Sequence, residues 1–192
     1  MGCLNTRAGG GGLREPDPEV IRRAQAGDLS AFERLVRECQ ADAWRFAYHL
    51  TRNRATADDV TQESFLRAFR AIRTYRGRSK FSSWLLRIVR NCAIDAFHRG
   101  ERETPVEDDA MAWRSASGAP ESAEDRIRIH QAVRELPLWL REPFVMIDVL
   151  GFSYEEVAAI LSTRIGTVKS RMHRARAALV QALAEGDLAD EV

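Results

Sequence analysis

The sequence predicts an all-α protein: two small helical domains joined by a flexible acidic linker. Apolar residues recur at helical spacing along most of the chain, and capping signals stand before those runs. No segment shows the apolar–polar alternation that marks a strand. Of the 192 residues, 45% are hydrophobic and 30% charged, the ordinary balance of a globular protein.

Residues 1–16, with the Gly9–Gly12 run, read as a disordered tail. Met1–Thr6 formally fits an N-myristoylation pattern, but the glycines behind it favour a plain tail, and no lipid is expected. Asp17-Pro18 resembles a helix cap with proline at the first helical position, leading into Glu19–Ala26, and Gly27 ends that helix. Ser30 and Glu33 form a capping box. The helix after it carries Phe32, Leu35, Val36, Cys39, Ala43, Phe46, Ala47 and Leu50 on one side. Thr56 and Asp59 open the next helix, with Val60, Phe65, Ala68, Phe69 and Ile72 inward. A loop, Tyr75–Ser79, turns at Gly77 into a helix that buries Phe81, Trp84, Leu85, Ile88, Val89, Cys92 and Phe97. The first domain therefore covers 17–100. Residues 101–125 are rich in Glu, Asp, Ser, Ala, Gly and Pro and read as a flexible linker, with Met111 and Trp113 as its large apolar residues.

Helical spacing resumes at Ile127, Ile129, Val133 and Leu136. Pro137 and Pro143 bracket a short connection, and Phe144–Leu150 forms a buried helix stopped by Gly151. Ser153 and Glu156 make a second capping box, followed by the apolar face Val157, Ala158, Ile160 and Leu161. Gly166 suits a turn and Thr167 a cap, with Val168, Met172 and Ala175 inward on the last helix. Lys169, Ser170, Arg171, His173, Arg174 and Arg176 stand outside. From Arg164 to Arg176 there are five Lys/Arg and no acid. Two short helices with this polarity can enter a DNA major groove, N-terminal residues on base edges and arginines on phosphates. An amphipathic core helix with a solvated basic face looks the same in isolation. The second domain covers 126–184, and 185–192 form a tail.

The formal net charge of +1 averages over strongly segregated blocks. Ser64–Arg99 holds nine Lys/Arg against Asp95 alone, a net of +8, and Glu101–Arg126 holds eight acids and three arginines, a net of −5. Two polyanion-binding modules joined by a tether that avoids DNA fit this pattern. Cys3, Cys39 and Cys92 form no CxxC pair, so neither a disulfide framework nor a zinc site is expected, and a reducing cytoplasm is the expected setting. No apolar run approaches the ~18–20 residues that span a bilayer, nor is a secretory leader evident, so no membrane insertion is expected. The chain contains no Walker A, GxSxG or HExxH motif, and His49, His98, His130 and His173 are isolated. An enzyme, a metal and a cofactor are thus not expected.

Taken together, the blocks resemble an extracytoplasmic-function sigma factor, a group IV member of the bacterial sigma-70 family. The likeness covers roughly residues 17–100 and 125–184. Ala57–Ala68 (ADDVTQESFLRA) is similar to region 2.2 and Tyr75–Leu85 (YRGRSKFSSWL) to region 2.3. Asn91–Arg99 takes the place of region 2.4, and Ser153–Leu179 is similar to region 4.2. The resemblance implies a specificity subunit that binds core RNA polymerase, recognises promoter DNA and is commonly restrained by an anti-sigma factor. It implies that Asp58, Asp59, Gln62 and Glu63 meet the polymerase clamp, an acidic and amide patch suiting a basic partner. It implies that Tyr75, Arg76, Arg78, Ser79, Lys80, Arg87, Arg90, Asn91 and Asp95 meet the melted −10 element, with Tyr75 as the stacking candidate and Trp84 as packing. Opening DNA costs roughly a kcal/mol or more per base-pair step, which stacking and capture of unpaired bases must offset. Finally, it implies that Thr167, Lys169, Ser170, Arg171, His173, Arg174 and Arg176 read the −35 duplex. Ser170, Arg171 and Arg174 are expected on base edges, Lys169 and Arg176 on phosphates.

The chain departs from the family pattern in two places. Ser162-Thr163-Arg164-Ile165 is bulkier and more polar than the usual glycine-containing turn, and His98-Arg99-Gly100-Glu101 lacks an Arg-rich continuation. A response-regulator activator would need an α/β receiver, and a plain repressor leaves the acidic patch without a purpose.

Overall fold

Every regular element in the structure, a computed structural model that describes residues 15–99 and 123–189, is helical. The expected tail before Glu15, most of the expected linker and the last three residues lie outside the described residues. Helix α1 (Pro18–Gln25) starts as expected, Asp17 accepting from the Glu19 N–H at 2.8 Å with proline at the first position. Gly27 then adopts a φ of 96°, and a side chain there would meet the Arg73 guanidinium at 3.2 Å. Helix α2 (Leu29–Thr51) is capped by Asp28, not by the expected Ser30–Glu33 box. The Asp28 carboxylate takes the Ala31 N–H at 3.1 Å and the Ser30 hydroxyl at 2.7 Å, so Ser30 serves the cap without being it. Likewise Asn53, accepting from the Thr56 N–H at 2.9 Å, caps α3 (Arg54–Ala71) ahead of Thr56.

A 3-10 turn (Ile72–Thr74) and the Tyr75–Lys80 loop lead to α4 (Phe81–His98). One core gathers Val20, Ile21, Leu35, Cys39, Ala68, Ile72, Phe81 and Leu85 from α1 to α4. Two expected inner residues are largely exposed instead. Phe69 is 45% exposed and Phe97 68% exposed, each on a face its own domain leaves open.

The second domain comprises α5 (Ala123–Glu135), α6 (Leu138–Phe144), α7 (Tyr154–Ile160) and α8 (Ile165–Ala189). Pro143 lies inside α6 rather than in a connection. It lacks the N–H that would continue the ladder, and Val145–Val149 follows as a π turn in which the Leu150 N–H reaches the Val145 carbonyl at 2.9 Å. Helix α8 runs past residue 184 to Ala189.

The two domains pack on one another. A single apolar core joins Phe46, Tyr48, Leu50, Leu86, Val89 and Ala93 to Val133, Leu140, Phe144, Met146, Val149 and Val157. Helix α6 lies against the end of α2 and α7 against α4. Tyr48 stacks on His130 with ring centroids 5.9 Å apart and planes 2° from parallel. The buried Arg141 guanidinium donates to the Arg134 carbonyl at 2.8 Å and to the Leu50 carbonyl at 3.3 Å.

Truncating Leu35, 1% exposed, to alanine should lower the unfolding free energy by about 2–5 kcal/mol in a urea titration. The Asp28 carboxyl is held at about 2, below its usual 3.8, by the Ser30 hydroxyl, then by Arg23 and the Ala31 N–H. Its contribution to α2 is therefore complete above pH 3.8 and fades as the pH falls toward 2. Side-chain NMR titration of Asp28 checks the midpoint.

Candidate nucleic-acid and partner interfaces

Helix α3 points its polar side away from the core. Asp58, Asp59 and Gln62 are exposed there and Glu63 is half-buried. Asp58 accepts from the Trp44 indole N–H at 2.6 Å, which fixes the carboxylate at the lip of a groove between α2 and α3. The groove, about 510 Å³, is floored by Phe32, Val36, Trp44, Phe65, Leu66 and Phe69, and Asp58 and Gln62 edge it. Leu66 and Phe69 are 46% and 45% exposed, large apolar side chains left in water. An apolar trough rimmed by carboxylate and amide suits a helical partner with basic residues at its edge. Of the four residues the sequence singled out on α3, Asp58 and Gln62 edge the groove, and the apolar floor was missed. The signal was present: positions 58, 62, 66 and 69 share one face of a helix.

The loop and α4 gather the residues expected on melted DNA. Arg76 and Arg78 are exposed in the loop. Tyr75 is half-buried in an aromatic cluster, 5.8 Å from Phe81 and 5.2 Å from Trp84 between ring centroids. Its hydroxyl donates to the Ser79 carbonyl at 2.6 Å and so ties the loop closed on itself. Burial, then the charge of Glu15, pushes the Tyr75 phenol up from its ordinary 10.0. Helix α4 has no cap from Lys80; Glu15 reaches across instead, taking the Phe81 N–H at 2.5 Å and the Ser82 N–H at 3.2 Å. Sequence reasoning had placed Glu15 in the tail.

Along α4, Arg87, Asn91 and Asp95 are exposed and Arg90 is half-buried. Asp95 is not free. Arg67 of α3 bridges it at 2.7 Å while holding Glu63 at 2.7 Å, so one guanidinium joins the α3 patch to the α4 face. The Glu63 and Asp95 hydrogen bonds, in that order, raise the Arg67 pKa. Three cations expected on DNA meet the second domain instead. Arg90 donates to Glu142 at 2.8 and 3.3 Å, Arg87 to the Ala159 carbonyl at 2.8 Å, and Lys80 pairs with Glu156 at 2.8 Å.

The pair α7–α8 forms the expected two-helix unit. Ser153 and Glu156 make the capping box, at 2.9 and 3.1 Å. The turn differs from expectation. Ser162, not Gly166, takes the left-handed conformation at φ 51°, and α8 begins at Ile165, so Thr167 lies in its first turn instead of capping it. Val168, Met172 and Ala175 are buried as expected. Lys169, Ser170, His173, Arg174 and Arg176 are exposed, and Thr167 and Arg171 half-buried. Ser170 donates back to the Thr167 carbonyl at 3.0 Å. Arg176 is held by Asp148 at 2.9 Å, and that hydrogen bond raises its pKa despite partial burial. Arg174 rests over the Trp139 ring, 6.0 Å from its centroid. Among the described residues no cluster of His, Cys, Asp and Glu could hold a metal ion, and no helix is long and apolar enough to cross a membrane.

Tyr75→Phe removes the tie to Ser79 and should cost about 0.5–1.5 kcal/mol, with faster amide hydrogen exchange at residues 76–79. Unchanged exchange would mean that the loop is ordered by ring packing alone.

Residues 35–103 match the family model for sigma-70 region 2, and residues 126–179 match that for sigma-70 region 4. The RNA polymerase sigma-H factor of Pseudomonas aeruginosa is 33% identical over 183 residues, covering 88% of this chain and 95% of its own length. The extracytoplasmic-function (ECF) RNA polymerase sigma factor SigM of Mycobacterium tuberculosis is 35% identical over 177 residues, covering 91% and 88%. Among solved structures, the sigma factor RpoE in its complex with the anti-sigma factor NepR from Bartonella quintana is 28% identical. It superposes with a TM-score of 0.63 over 80% of this chain and 96% of that one. Both domains are thus accounted for by one family: the chain is a sigma-70 family member of the extracytoplasmic-function group.

Proposed function

We propose that this sigma factor docks on core RNA polymerase through the α2–α3 groove, edged by Asp58 and Gln62, together with the neighbouring Asp59 and Glu63. The loop and α4 then capture the melted −10 strand while α8 reads the −35 duplex. The observation that carries this reading is the division of the surface. An apolar trough edged by one acid, Asp58, and the amide of Gln62 lies on one side of the first domain, and the cationic loop and helices on others. A helix N-terminal half bearing Lys169, Ser170 and Arg171 suits base edges and the nearby backbone. Arg176, tied to Asp148, is better placed to orient α8 than to grip a phosphate. The energy of strand opening comes from binding, so the protein acts without catalysis of its own and in the cytoplasm, where polymerase and promoter are. Control by an anti-sigma factor fits the likeness to a sigma factor solved with one.

Two measurements test this reading. Leu66→Glu puts a charge on the groove floor without touching the core, since Leu66 is 46% exposed. It should weaken binding to core polymerase at least tenfold while leaving the melting temperature within a degree or two. Equal binding by wild type and variant would remove the groove from the interface. For DNA, Lys169→Ala should weaken binding to matched and mismatched −35 sites alike and flatten the salt slope by about one unit. Arg171→Ala should instead cost about 1–3 kcal/mol on the matched site alone. A uniform loss for both would move Arg171 from bases to phosphates.

A further inference from the structure

The Tyr75–Lys80 loop is fastened at both ends by residues from the start of the chain. Where it begins, the Gln25 side-chain amide of α1 donates to the Tyr75 carbonyl at 2.6 Å and to the Ile72 carbonyl at 3.3 Å. Where it ends, the Glu15 carboxylate accepts from the Phe81 and Ser82 N–H groups at 2.5 and 3.2 Å. Between these ties Arg76, Gly77 and Arg78 stand exposed. Glu15 and Gln25 both lie before residue 35, where the match to sigma-70 region 2 begins.

Helix α1 is a firm base for both ties. Its Val20, Ile21 and Ala24 share a core with Ile72 and Phe81, the residues that flank the loop. Glu15 stands just before α1 and Gln25 is its last residue, so one anchored helix reaches both ends of the loop. Lys80 gives α4 no side-chain cap, and Glu15 satisfies the first two N–H groups of that helix in its place. A loop that accepts one base and refuses others must hold its polar groups within about 0.5 Å. Arginine side chains are long and rotatable, and Gly77, at φ 65°, adds backbone freedom between Arg76 and Arg78. The fixed geometry therefore has to be supplied at the loop's ends.

We propose that Glu15 and Gln25 are positioning residues of this loop: by holding it at both ends they set the geometry in which it accepts one unpaired base and refuses the others. The proposal rests on the reading of the loop as part of the −10 face. Both residues act through the loop and not on DNA. Discrimination between strands separates this role from plain stability. A variant that only lowers the folded fraction weakens binding to every strand by the same factor, and the ratio between strands is unchanged. A displaced loop alters the ratio itself. The ratio also cancels the general gain in DNA affinity that follows from removing the charge of Glu15.

The test uses holoenzyme reconstituted with core polymerase. The probes are fluorescein-labelled single DNA strands carrying the −10 element that reconstituted transcription defines, together with each single-base substitution of it. Gln25→Ala and Glu15→Ala should each lower the ratio of preferred to substituted strand at least about fivefold at the most selective position. Binding of the same proteins to a −35 duplex should stay within about twofold of wild type. Glu15→Gln keeps an acceptor oxygen for the Phe81 N–H and should retain most of the ratio. Arg22→Ala, on the exposed side of α1, should leave it unchanged. A ratio unmoved in Gln25→Ala and Glu15→Ala but lowered in Arg76→Ala and Arg78→Ala overturns the positioning role and leaves the loop as a reader of bases. A ratio that the two arginine variants also leave unmoved removes the loop from base reading, and the proposal falls with it.

Discussion

The C-terminal half of α2 is the constraint on which the rest of the molecule depends. From Arg45 to Leu50 every residue is buried, so the helix has no face left for water. A helix apolar or covered on all sides must be enclosed on all sides. Helices α3 and α4 cover one part of it, and α6 with the π turn of the second domain covers another. Phe46 and Ala47 serve the same core as Met146 and Val149. Leu50, at the helix end, offers its carbonyl to Arg141 across the domain boundary. The position of α4, and hence of every residue on the face proposed to meet melted DNA, follows from this enclosure.

Local signals in the sequence were read well where one element decided the outcome. The Asp17-Pro18 start, the Ser153–Glu156 box and the inward triplet Val168, Met172 and Ala175 involve only neighbours along the chain, and each stands as expected. Where candidates competed within a few residues, the wrong one was favoured. Asp28 and Asn53 took caps assigned to Ser30 and Thr56, since all four side chains can accept from an N–H two or three residues on. Phe69 and Phe97 were taken for core because periodicity says which face is apolar, not what covers it. The charged side chains of the candidate interfaces were legible by type and position. Their partners were not: Arg90 and Glu142 are 52 residues apart in the chain, and no local pattern links them.

Those pairings change how the basic surface is understood. A count of Lys and Arg from Ser64 to Arg99 suggests a uniform polyanion-binding block. The structure divides it. Arg76 and Arg78 remain in solvent, Arg67 ties Asp95 to Glu63, and Arg90, Arg87 and Lys80 face the second domain. Few of these surface pairs contribute much stability, being exposed and screened. The Arg90–Glu142 pair stands apart because it is buried.

Family membership and surface chemistry converge on one central claim, that this chain directs core RNA polymerase to a distinct set of promoters. The most direct test is reconstituted transcription with purified bacterial core polymerase on fragmented genomic DNA from the source organism, with and without the protein. The account predicts discrete new transcripts that start only in its presence and share paired upstream elements at −35 and −10. Stable binding to core with no new start sites, or no binding at all, would contradict it.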